Sequence, residues 1–160
     1  MVKITCVCVG KVKENYLTDA IKEYVKRLSR YCKLEIVEVP DEKTPEGASP
    51  TEESAIKSRE GERILKSLRE DAYVIALAVE GHMPDSIELS RTLEKLTVGG
   101  SSHIIFVIGG SLGLSPAVIQ RANESLSFSR MTFPHQLMRV ILLEQLYRSF
   151  RIIRHEPYHK

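Results

Sequence analysis

An α/β fold, with a parallel-rich sheet covered by helices on both faces, is predicted by three features of this 160-residue sequence. Strand-like and helix-like segments alternate along the chain. Two segments, YVIALAV (Tyr73–Val79) and HIIFVI (His103–Ile108), are almost wholly apolar, as strands buried on both faces are. Glycine- or serine-bearing turns follow the later strands, where ligands settle in open parallel sheets.

Val2–Val9 is apolar and β-branched and closes at Gly10, which predicts a buried first strand. Over Asn15–Arg30 the apolar positions Tyr16, Leu17, Ala20, Ile21, Tyr24, Val25 and Leu28 fall on one broad helical face. Leu34–Val39 alternates apolar and charged residues and ends at Pro40, a half-buried strand. Asp41–Thr51 carries two prolines and a glycine and reads as the one long loop. Thr51-Glu52-Glu53-Ser54 then resembles a helix start, with the helix running to about Arg69. After the Tyr73–Val79 strand, Met83–Leu96 is predicted helical and stops at Gly99-Gly100. The His103–Ile108 strand opens into Gly109-Gly110, and a short helix is expected from Pro116 to about Glu124. Leu126–Phe128 is the last predicted strand and His135 to about Ile153 the last helix, with Thr132 offered as its cap and Pro134 in its first turn. No repeat or linker divides the chain, so one domain over residues 1–160 is expected.

Composition narrows the function. Apolar residues make up 42% and charged residues 28%, a globular balance with no run near the ~18 apolar residues of a membrane span. The opening MVKITCVCVG lacks the layout of a secretory signal, and Cys6, Cys8 and Cys32 have no framework spacing. A cytoplasmic protein with reduced thiols and no membrane partner is the expectation. Cys6 and Cys8 share a strand face, but no His or Cys pair completes a metal set, so core packing is expected and no metal. From Ser129 to Lys160 six Lys and Arg stand against two Glu on a chain of net charge +2. That asymmetry points to a local anionic partner and away from general coating of DNA or RNA.

Three strand ends are candidate sites: Leu77–Gly81, Ile108–Gly113 and Phe128–His135. VIGGSLGLS (Val107–Ser115) offers glycines and free amides. It fails the dinucleotide fingerprint because Ile108 stands where the first glycine belongs, and no P-loop occurs anywhere. By itself this turn serves a tight bend as well as a ligand. ALAVEGH (Ala76–His82) reads more readily as an ordinary strand end than as a site. In SFSRMTFPH (Ser127–His135) the hydroxyls suit turn chemistry, and the helix start behind them also has spare N–H donors. The helix beyond is apolar around much of its circumference, which suggests burial against another chain.

FVIGGSLGLS, LSFSRMTFPHQLMRVILLEQLYRSF and the terminal EPYHK, together with VGKVKE and VPDEK near the N-terminus, resemble the SPOUT class of methyltransferases. More narrowly the sequence is similar to the RlmH family, which methylates N3 of a pseudouridine in large-subunit ribosomal RNA. The resemblance runs the length of the chain. It implies a C-terminal trefoil knot, bent S-adenosylmethionine held in that knot, and a homodimer in which one chain's tail lies near the other's cofactor. Carried onto this sequence, it implies a cofactor pocket lined by Leu77, Gly109, Gly110, Ser129, Arg130, Met131, Thr132, Phe133 and Pro134. The catalytic candidates are His135, Arg148, Tyr158 and His159. Arg148 is expected to stabilise the developing anion, and Tyr158 and His159 to orient or deprotonate the base. With few phosphates neutralised and no separate RNA-binding module, the expected substrate is RNA within the assembled ribosome. Two other readings share these features: a SPOUT enzyme acting on transfer RNA, and a non-catalytic ribosome-binding factor. A nucleotide-dependent oxidoreductase is disfavoured by the missing first glycine.

Overall fold

The computed structural model describes all residues, Met1–Lys160. Five strands form one sheet in the order β2-β1-β4-β3-β5: β1 Lys3–Val9, β2 Lys33–Val39, β3 Tyr73–His82, β4 His103–Ile108 and β5 Glu124–Leu126. Every strand pair is parallel, so the sheet is wholly parallel. Five helices connect them: α1 Asn15–Leu28, α2 Pro50–Lys66, α3 Ser86–Val98, α4 Pro116–Arg121 and α5 His135–Ile153.

Alternate residues of each strand feed two separate cores, as the pleat requires. Ile4, Cys6, Cys8, Ile104, Phe106 and Ile108 pack with Leu28, Leu93, Leu142 and Leu146 beneath α1, α3 and α5. Val7, Val9, Val74, Ile105 and Val107 pack with Ile64 and Val118 beneath α2 and α4. The three cysteines are buried and free, and burial pushes the Cys8 thiol up to about 11 and Cys32 up to about 12.

Several boundaries differ from the sequence expectation for local reasons. Helix α2 begins at Pro50, one residue before Thr51, because Ser49 forms a capping box with Glu52. It ends at Lys66, short of Arg69. Helix α3 begins at Ser86 instead of Met83, capped by Asp85 with Glu88 in the same reciprocal pattern. Helix α4 stops at Arg121, because Asn123 exchanges two 2.8 Å hydrogen bonds with the backbone of Val74 and starts β5 at Glu124 instead of Leu126. Strand β3 does not end at Val79 but reaches His82, and Val79 is exposed. That extension carries a bulge: both Leu77 and His82 pair with Leu126. Helix α5 has Pro134 at its N-cap and no side-chain cap, so Thr132 does not serve as one.

Helix α5 runs antiparallel to the strands. Its early residue Arg139 donates to Val9 O and Gly10 O at the C-terminal end of β1, and Phe150 stacks on Tyr31 just before β2. It lies on the sheet between α1 and α3, burying Leu142, Leu143, Leu146 and Phe150. Neighbours within the chain therefore account for much of its broad apolar circumference. Leu137, Val140 and Ile141 remain half-exposed.

Candidate active site

Two groups of side chains emerge, at opposite ends of α5. At the C-terminal edge of the sheet, the register Ala76↔Val107 sets Leu77 beside Ile108, and Leu77 also pairs with Leu126. Gly109 and Gly110 follow Ile108 directly. The turn folds back on itself, with Gly113 N–H donating to Gly110 O at 3.0 Å and Gly113 at φ +85°. A Cβ on Gly109 would fall 2.8 Å from the Gly113 carbonyl carbon, so only glycine fits there.

From Leu126 the chain must reach α5, whose Arg139 lies against β1. That path crosses three strand spacings, about 14 Å, which the seven residues Phe128–Pro134 span easily. The shortest such path runs over the ends of β3 and β4. Within this stretch Ser127 Oγ donates to Ser129 O at 3.0 Å, and Met131 N–H donates to Ser129 Oγ at 3.0 Å. The N–H groups of Phe128, Ser129, Arg130, Thr132 and Phe133 have no acceptor within the chain. Phe133 is half-buried, while Arg130, Met131, Thr132 and Pro134 are exposed. Free amides beside glycines that admit close approach suit a ligand with ring nitrogens, hydroxyls and a carboxylate. The small void between Arg139, Cys8, Ile108 and Leu143 holds about 10 Å³, room for no more than a water, and is not this site.

The second group sits where α5 ends. Arg154 closes the helix and His155 takes φ 56°, which lets Glu156 N–H donate back to Arg151 O at 2.9 Å. Arg151 then binds Glu156 Oε2 at 2.8 Å and Pro157 O at 2.7 Å, turning the tail back along the helix. Tyr158 donates to Glu144 Oε2 at 2.7 Å, and Arg148 Nη2 donates to the same oxygen at 2.8 Å. Arg148 Nη1 lies 3.0 Å from His159 Nδ1, and its guanidinium is 4.8 Å from the Tyr158 ring centre. Burial, with the Glu144 hydrogen bond and charge behind it, pushes the Tyr158 phenol far up, so it stays protonated at neutral pH. The Glu144 hydrogen bond likewise raises Arg148 and keeps it cationic.

The structure brings Arg148, Tyr158 and His159 together, and leaves His135 apart from them. His135 lies thirteen residues earlier on α5, about 20 Å along its axis. There it shares the sheet's C-terminal edge with the glycine turn, and burial, then Arg139, lowers its imidazole pKa.

Sequence reasoning missed three residues. Glu144 holds the whole tail cluster; its i,i+4 spacing to Arg148 was a readable signal. Arg139 is buried, pairing with Glu38 Oε2 at 2.6 Å. Glu60 is buried under the glycine turn, its Oε1 3.3 Å from where a Cβ on Gly110 would lie, and accepts Glu42 N–H at 2.9 Å. Burial raises the Glu60 carboxyl pKa against the lowering effect of that amide. Nothing local in the sequence marks these two.

The sequence matches the family described as "Predicted SPOUT methyltransferase" over residues 2–159. It is 63% identical to the ribosomal RNA large subunit methyltransferase H of Bifidobacterium animalis subsp. lactis, covering 98% of this chain and 99% of that one. The protein of the same name from Bacillus pumilus is 60% identical over 98% of this chain and 99% of its own. Among solved structures, a probable methylase family protein from Haemophilus influenzae is similar with a TM-score of 0.55 at 14% identity. It covers 98% of this chain and 70% of that one, a likeness of fold.

Proposed function

The chain belongs to the SPOUT methyltransferase family, and from that premise we propose that it methylates N3 of a pseudouridine in large-subunit ribosomal RNA within the assembled ribosome. The observation that carries this reading is near-full-length identity above 60% to proteins named for methylating that RNA. The clustered Arg148, Tyr158 and His159 add chemistry suited to it.

S-adenosylmethionine, the proposed donor, supplies an electrophilic methyl on a cationic sulfonium. Leu77, Gly109, Gly110 and Ser129–Pro134 would hold it, and their free amides and tight turn support that fit. The trefoil knot belongs to the same reading, formed by the Phe128–Pro134 crossing and α5. The chain's own residues must present the pseudouridine N3 and favour loss of its proton. Arg148, cationic and held by Glu144, stabilises negative charge developing on the base. Tyr158, kept as a phenol by burial and its hydrogen bond to Glu144, is suited to orient the base. His159 is exposed with its Nδ1 facing the Arg148 guanidinium, and its part in this reading is to orient the base or take that proton.

In one protomer these groups stand about 20 Å along α5 from His135, which lies at the sheet edge that bears the glycine turn, too far to act on a methyl held at that edge. That separation supports a homodimer in which the tail of one protomer meets the cofactor turn of its partner. The test is transfer of labelled methyl from S-adenosylmethionine to assembled ribosomes lacking the modification, with the nucleoside identified by mass spectrometry. Label on N3 of pseudouridine is expected. Label on transfer RNA, or none on any RNA, overturns the assignment.

A further inference from the structure

Positive charge on this chain is concentrated in two segments that the fold joins. Residues 22–33 and 148–160 hold nine Lys and Arg against two Glu, whereas the other 135 residues hold fourteen against nineteen acids. The first segment is the last turns of α1 and its exit; the second is the end of α5 and the tail. Ring contacts unite them: Arg27 lies 5.5 Å from the Tyr147 ring centre, and Arg154 lies 4.8 Å from that of Tyr31. Several arginines there are already committed, Arg27 to Glu23, Arg148 to Glu144 and Arg151 to Glu156. Lys22, Lys26, Arg30, Lys33, Arg154 and Lys160 are exposed, and no carboxylate lies within 4.0 Å of any of their charged nitrogens.

We infer that this α1–α5 face is a docking surface for RNA phosphates, which holds the substrate backbone while Arg148, Tyr158 and His159 meet the base. It rests on the reading of the chain as an RNA methyltransferase. Unpaired cations on an otherwise acidic body concentrate a polyanion at one place, which selects a footprint where a uniformly basic protein would bind anywhere. Arginines laid against tyrosine rings lose less freedom on meeting a phosphate than free side chains do. The face is continuous with the catalytic candidates, so a strand bound along it is delivered to them without a separate RNA-binding module.

The test neutralises Lys22, Lys26 and Arg30 together (K22Q/K26Q/R30Q), none of which touches the catalytic group. The control neutralises Lys43, Lys57 and Lys66, which lie on and before α2 on the opposite face. Binding to assembled ribosomes is measured between 50 and 200 mM KCl, beside methyl-transfer kinetics and S-adenosylmethionine affinity. The expected result is ribosome affinity weaker by about tenfold or more and a salt slope reduced by roughly 2 to 3. KM for ribosomes rises with kcat and donor affinity kept, and the control stays near wild type. Unchanged affinity and slope, or an equal loss in the control, overturns the proposal. So does a loss accompanied by dissociation into monomers in sedimentation, which would make the face a contact between copies. Wild-type chain that binds ribosomes with a steep salt slope but transfers no methyl refutes the methyltransferase reading alone.

Discussion

Tyr158 donates its hydroxyl to Glu144 at 2.7 Å, tying the end of the chain to the middle of its last helix. The same carboxylate receives Arg148, so one acid positions two candidate catalytic groups.

Glu144→Ala releases both at once. Because each is a charge-assisted bond, methyl transfer should fall by about tenfold or more. Glu144→Gln retains an acceptor for Tyr158 and should fall between that variant and wild type. Donor affinity stays unchanged if Glu144 only positions. Single-turnover rates decide, and an E144A rate within twofold of wild type rejects the positioning role.

Arg139 is buried and caps the outgoing carbonyls of β1 with donations to Val9 O and Gly10 O. Arg139→Met orphans both carbonyls and strips Glu38 of its partner. Glu38 is partly solvated and recovers some of that loss, so destabilisation of about 2–4 kcal/mol is expected. Urea unfolding measures it, and a loss under 0.5 kcal/mol contradicts the contacts.

Gly109→Ala drives a Cβ into the Gly113 backbone and forces the turn open. Affinity for S-adenosylmethionine by calorimetry should drop by about tenfold or more, since a misplacement near 1 Å is that costly. Gly47→Ala, with open space around it and φ +71°, should cost about 1 kcal/mol of stability and leave donor affinity untouched. Equal donor binding by G109A and wild type rejects the turn as part of the pocket.

Acid should destabilise the protein before its carboxylates titrate. Burial lowers the imidazoles of His103 and His135 in the folded state, with Lys3 adding to His103 and Arg139 to His135. Unfolded imidazole titrates near about 6.5, so below that pH the unfolded chain binds more protons. Stability is thus fully present above about 6.5 and lost as pH falls toward the folded values. Glu60, raised by burial, works the other way, because its ionised form is penalised as pH rises past the usual carboxylate range. Urea midpoints at pH 5.5 and 7.5 should differ in wild type and converge in a His103→Gln/His135→Gln variant. An undiminished difference in that variant assigns the effect elsewhere.

Strand and helix identities were legible in the sequence because hydrophobic period is a local property. His103–Ile108 and His135–Ile153 emerge with their predicted limits for that reason. Boundaries drifted where a side chain elsewhere decided them, as at Asn123, whose partner Val74 is 49 residues away. The candidate residues of the tail were legible through resemblance; Glu144 was missed, although its spacing to Arg148 marked it. What only the tertiary structure decided is which of them share a site. Helix rigidity separates His135 from Arg148 by about 20 Å, the backward turn at His155 carries Tyr158 and His159 to Arg148, and strand order brings Leu77 beside the glycine turn. The sequence by itself determined the α/β class and the chemistry available; long-range packing, which no local pattern encodes, determined where that chemistry stands.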